Sequence, residues 1–91
     1  MMPRMAFRVI EVQPTPNPNA SKYVLDAPIS QKPESFFNAD AGKDHPVASA
    51  LFAIPGVTSV LLLGDFVTVN KSADVKWSAI TPAVKRVLQS V

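Results

Sequence analysis

Ninety-one residues, 47% of them hydrophobic and 18% charged, suit one domain spanning residues 1–91 with a small core. The formal charge is +2, but the nine cations are spread among seven acids and only Lys85 and Arg86 are adjacent; a nucleic-acid surface needs a concentrated basic stripe. There is no cysteine, which excludes a disulfide, a redox dithiol, a thiolate nucleophile and a cysteine-ligated cluster within the chain.

Residues 7–13 (FRVIEVQ) and 22–25 (KYVL) are rich in β-branched and aromatic side chains and read as two strands. Between them stands Thr15-Pro16-Asn17-Pro18-Asn19. Each proline fixes φ near −65° and removes an amide donor, and the residue before it is pushed to extended geometry. Asn17 and Asn19 can close Asx turns or accept positive φ. A stiff, shaped turn is expected, serving as a strand connection or as a rigid recognition edge. Residues 27–44 are the least patterned, with a short third strand at residues 35–38 and loop elsewhere.

Asp44-His45-Pro46 marks a helix start, a polar cap candidate followed by proline near the first position. Val47, Ala48, Leu51 and Phe52 recur at helical spacing, and Ile54-Pro55-Gly56 ends the run. Residues 57–63 and 66–70 form the clearest hairpin, joined by Gly64-Asp65. That loop sets Leu63 opposite Phe66 and Leu62 opposite Val67, so Val60, Leu62, Val67 and Val69 share a core face. Leu61, Leu63, Phe66 and Thr68 share the other. Those apolar residues are either covered as ordinary core or left as an interaction patch. The last helix is expected from about Val75, with Asp74 as cap and an apolar face of Trp77, Ile80, Val84, Val87, Leu88 and Val91. Pro82 should kink or restart it.

The order β-β-(β)-α-β-β-α points to an α+β two-layer sandwich, with two helices on one face of a mostly antiparallel sheet of four or five strands. No chemical centre emerges from the residues. His45, the one histidine, lacks ligand partners, and capping or plain exposure is its reading. No catalytic residue, metal ligand or cofactor is assigned, and no enzyme activity is expected. Apolar runs such as residues 60–63 are too short for a membrane span of ~20 residues, and residues 1–5 lead into no secretory signal. A cytoplasmic location is the expectation.

Several pieces in this order resemble one family. They are Thr15 to Ala20 with Lys22, then His45-Pro46-Val47-Ala48 with Leu51-Phe52, then Ile54-Pro55-Gly56-Val57. Val60, the run from Asp65 to Lys71, and Trp77 ahead of the Pro82 helix complete the set. Together they resemble the N-terminal domain of Nfu/NifU-type iron–sulfur scaffold proteins, over nearly the whole chain. In that family a second domain with a Cys-x-x-Cys pair holds the cluster, so the cluster-carrying role transfers to no residue here. The resemblance implies contact with iron–sulfur assembly or client proteins, with no nucleic-acid or membrane partner. Candidate partner-binding residues are Pro16, Asn17, Pro18, Asn19, Lys22, Leu61, Leu63, Asp65 and Phe66. The alternative is a self-associating regulatory domain, or one put to another use, that forms a weak homodimer through the apolar patch.

Overall fold

The computed structural model describes residues 7–90. It contains β1 (Val9–Pro14), β2 (Ala20–Leu25), β3 (Ser30–Phe36), α1 (Pro46–Phe52), β4 (Val57–Gly64), β5 (Phe66–Lys71) and α2 (Trp77–Ser90). The five strands form one antiparallel sheet in the order β1-β2-β5-β4-β3. This is the α+β arrangement that the alternating patterns imply.

One core joins sheet and helices. Tyr23 and Leu25 of β2, Val60 and Leu62 of β4, and Val67 and Val69 of β5 are buried with Val47 and Leu51 of α1 and Ile80, Val84 and Leu88 of α2. Both helices therefore cover the same sheet face. The β4–β5 register pairs Leu63 with Phe66, Leu62 with Val67, Leu61 with Thr68 and Val60 with Val69. Gly64 takes φ +57° at the first loop position, the conformation a tight hairpin asks of glycine.

Two boundaries differ from the sequence reading, those of the third strand and of the last helix, and two open points at the helices are resolved, each for a local reason. The third strand covers Ser30–Phe36 and not residues 35–38. It is an edge strand with exposed Gln31, Lys32 and Pro33, and its register breaks between Ser30 and Glu34. Proline is tolerated at such an edge, which is why polarity and Pro33 hid the strand. At the start of α1 the capping reading of His45 holds: its Nδ1 accepts the Ala48 amide at 3.3 Å, and Pro46 follows in the first turn. α2 begins at Trp77, because Val75 instead closes a turn by donating to the Ser72 carbonyl at 3.2 Å. Lys76, whose carbonyl accepts from Ala79 and Ile80, opens the helix in place of Asp74. Pro82 does not restart α2, which runs as one helix to Ser90. Val91, assigned by spacing to its apolar face, lies outside the described residues, as do residues 1–6.

Candidate docking surfaces

The Pro/Asn turn is organised by its own side chains. The Thr15 hydroxyl lies 2.8 Å from the Asn17 carbonyl and 3.0 Å from that of Ala20, and it accepts the Asn17 amide at 3.1 Å. Asn17 Oδ1 accepts the Asn19 amide at 2.9 Å, closing an Asx turn, and the Ala20 amide donates to the Asn17 carbonyl at 3.0 Å. No residue other than glycine has positive φ among the described residues, so Asn17 and Asn19 use their side chains and not left-handed backbone.

Two distant residues then staple the turn to the body of the protein. The Trp77 indole N–H donates to the Pro18 carbonyl at 2.9 Å, and the Lys71 amide donates to the Asn19 carbonyl at 2.8 Å. Lys71 is only 8% exposed. Its Nζ donates to Asn19 Oδ1 and to the Ser72 carbonyl, both at 3.3 Å, and lies 5.5 Å from the centre of the Trp77 ring. The half-buried Trp77 ring meets Tyr23 edge-on at 6.5 Å. Trp77, expected on the apolar face of the last helix, is thus a rim residue that joins the core to the turn. Pro16, Asn17 and Pro18 remain exposed, so the turn is both fixed and presented.

Tyr23 holds the layer beneath. Its hydroxyl is 2.8 Å from Thr81 Oγ1. Burial raises its pKa above the ordinary tyrosine value, and hydrogen bonds to Thr81 and Ser21 oppose that shift.

The second surface is the sheet face away from the helices. Register sets Val24, Phe66 and Leu63 in one row across β2, β5 and β4. Lys22, Thr68 and Leu61 form the next row, with Ser35 of β3 at its end. The Lys22 ammonium sits 4.1 Å above the Phe66 ring centre, a cation–π contact. Val24, Leu61, Leu63 and Phe66 are all half-buried. The face is therefore neither sealed core nor fully open: its side chains cover one another, and no helix covers them.

The candidate residues divide among three places. Lys22 joins Phe66, Leu61 and Leu63 on the open face. Pro16 to Asn19 stand at the β2 end that begins with Ala20. Asp65 stands at the other end of β2, where its carbonyl accepts the Leu25 amide at 2.7 Å. Five steps of strand separate those ends by ~17 Å, so the turn and Asp65 belong to different sites. The sequence reading missed Lys71 as the turn's anchor, though the alternation Val67-Thr68-Val69-Asn70-Lys71 places it on the core face with Val67 and Val69.

No group of three histidine, cysteine, aspartate or glutamate side chains arranged to hold a metal is found among the described residues. Nor is any helix among them long and apolar enough to cross a membrane.

Fold and surface together define a two-layer α+β domain whose distinctive chemistry is a rigid turn and a half-covered sheet face. Residues 10–91 match the family described as scaffold protein Nfu/NifU N terminal. The chain is 38% identical over 76 residues to NifU-like protein 5, mitochondrial, of Arabidopsis thaliana, covering 82% of this chain and 28% of that protein. It is 35% identical over 81 residues to the NFU1 iron-sulfur cluster scaffold homolog, mitochondrial, of Drosophila erecta, covering 87% and 29%. A solution structure of a NifU-like protein from Saccharomyces cerevisiae superposes with a TM-score of 0.78 at 27% identity, covering 98% of this chain and 81% of that one. The crystal structure of protein SAV1430 from Staphylococcus aureus gives 0.73 at 25%, covering 88% and 96%. The chain belongs to the Nfu/NifU N-terminal family, and it spans under a third of the Arabidopsis and Drosophila relatives. Membership, with a relative named as an iron-sulfur cluster scaffold homolog, associates it with iron–sulfur cluster assembly.

The expected cytoplasmic location is not upheld, because both the plant and the insect relatives are named as mitochondrial proteins. The reason is chemical: a chain without cysteine forms no disulfide in any compartment, so that lack cannot select one.

Proposed function

We propose that this chain is a non-catalytic docking domain that serves iron–sulfur cluster assembly by contacting assembly or client proteins, without holding a cluster itself. The observation that carries the reading is the Trp77–Pro18 hydrogen bond with its Lys71 companion, which fixes an exposed, proline-stiffened turn on a chain devoid of cysteine. A preorganised surface loses little conformational entropy when a partner docks. The docking residues are Pro16, Asn17, Pro18 and Asn19 on the turn, with Lys22, Leu61, Leu63 and Phe66 on the open face. Asp65 stands apart from both.

Two experiments test this. Anaerobic reconstitution with iron and sulfide should give no stoichiometric chromophore; a stable one would require ligands other than cysteine and would overturn the reading. Immobilised chain should retain an iron–sulfur assembly protein, and retention should weaken when Pro16 and Pro18 are both replaced by glycine. If no such protein is retained, the docking role fails.

A second reading rests on the Val24–Phe66–Leu63 row, an apolar strip on a sheet face without helices. It takes that strip as a self-association surface, forming a weak homodimer. A mass that stays monomeric up to millimolar concentration would dismiss it.

A further inference from the structure

β1 is one edge of the sheet, and among the described residues only its inner side is paired, to β2. Alternate residues of a strand turn their backbone groups to opposite edges. The outer side of β1 therefore offers unpaired donors and acceptors, a template for another extended chain. The opposite edge is blunted by Lys32, Pro33 and the broken register of β3. β1 carries similar devices, a bulge at Ile10 and Pro14 at its end, but unlike β3 it exposes large apolar side chains, Ile10 at 60% and Val12 at 41%.

A groove lies beside this edge. Trp77, at the start of α2, lines a cavity of about 290 Å³ with Val12 and Pro14. Gln89, near the end of α2, lines a second of about 280 Å³ with Arg8 and Asp26. The helix therefore runs antiparallel to β1. Trp77, Thr81, Lys85 and Gln89 stand four apart and make one ridge along that side, with Thr81 fixed by Tyr23. Lys85 stands on that ridge between Thr81 and Gln89. It is exposed, α2 contains no acid, and no carboxylate pairs with it among the described residues. The Asp26 carboxylate at the far end already accepts the Arg8 amide at 3.1 Å.

We propose that the β1 edge binds an extended segment of a partner protein by strand addition, placing an apolar side chain in the Trp77 cavity and an acidic one against Lys85. This rests on the reading of the chain as a docking domain and not on its link to iron–sulfur assembly. The spacing defines the segment. From Trp77 to Lys85 a helix rises ~12 Å, and a strand covers ~13 Å in four residues, which return to the same face. An antiparallel segment enters at the Pro14 end, so the apolar residue precedes the acid by four positions. A second copy of this chain fits poorly. The groove-side residues of β1, paired with Leu25, Tyr23 and Ser21, are Val9, Val12 and Pro14, and they bring no acid to Lys85.

The test is an amide-resolved NMR titration of the 91-residue chain. The probe is a capped eight-residue peptide of threonines carrying leucine and, four positions later, glutamate; its counterpart carries lysine for glutamate. Expected are shifts at residues 10–13 and at the Trp77 indole N–H, with slowed amide exchange along β1. Binding should weaken about tenfold for the lysine peptide and for Lys85→Glu, the effect of turning one attraction into repulsion. Shifts confined to Lys22, Leu61 and Phe66, equal affinity for the two peptides, or no binding at millimolar peptide would overturn the proposal. So would a dimer whose β1 amides are protected without peptide, since a second copy would then hold the edge. If the peptides fail while an assembly protein still docks on the turn, this proposal falls alone.

Discussion

Replacing Trp77 with phenylalanine isolates the staple that holds the Pro/Asn turn. The substitution removes the indole N–H that donates to the Pro18 carbonyl at 2.9 Å and keeps an aromatic ring against Tyr23. Loss of the hydrogen bond costs about 0.5–1.5 kcal/mol, toward the lower end because water can reach the freed carbonyl. The smaller ring at a half-buried site gives up about 1 kcal/mol of apolar burial, and a few tenths more go with the weaker attraction to Lys71. The sum is about 2 kcal/mol, read by urea unfolding. The local signature is sharper. Amide exchange at Asn19 and Ala20, whose N–H groups are bonded within the turn, should accelerate more than at Val67 and Val69 in the central strand. If stability changes by under about 0.5 kcal/mol and turn exchange is unaltered, the turn is stiff by its own prolines and Asx bonds, and the staple is irrelevant.

Three further outcomes follow from single sites. Because burial raises the pKa of Tyr23, the protein keeps its full tyrosine-linked stability below the ordinary tyrosine pKa and loses it as pH rises through the higher folded value; Tyr23→Phe should flatten that alkaline slope while costing about 1 kcal/mol at neutral pH, seen by unfolding at several pH values. Gly56→Ala should be more damaging than Gly64→Ala in thermal unfolding. Both positions have positive φ, but a β-carbon at Gly56 would stand 2.7 Å from Val75 Cγ2, whereas at Gly64 nothing lies within 4 Å, leaving a cost of about 1–2 kcal/mol from backbone strain alone. Pro82→Ala should stabilise the protein by about 1–3 kcal/mol, since Pro82 is exposed inside α2 and denies the Ser78 carbonyl its helical partner; an unchanged or lowered midpoint would refute this.

The sheet's centre was legible because local rules determine it. A two-residue loop with glycine first sets the β4–β5 register, and period-two alternation then places Val60, Leu62, Val67 and Val69 inward. What escaped is what depends on long-range placement or on an edge. β3 is polar, carries Pro33 and has only one neighbour, so it owes nothing to alternation. The order β1-β2-β5-β4-β3 decides that β1 is exposed, and no local pattern encodes that order. Trp77 and Pro18 lie 59 positions apart, so their hydrogen bond had no local sign. The turn's own conformation was readable from Asn17, since its side chain reaches a backbone amide two residues on. Its attachment was not.

The central claim is that this domain meets proteins of iron–sulfur assembly through its turn or its open sheet face. The direct measurement is an NMR titration of the labelled chain with a purified iron–sulfur assembly protein. The account predicts shifts that saturate with added protein and cluster at Asn17, Asn19 and Lys22 or at Leu61, Leu63 and Phe66. A spectrum unchanged at those positions, at concentrations where the two proteins would meet even weakly, would contradict it.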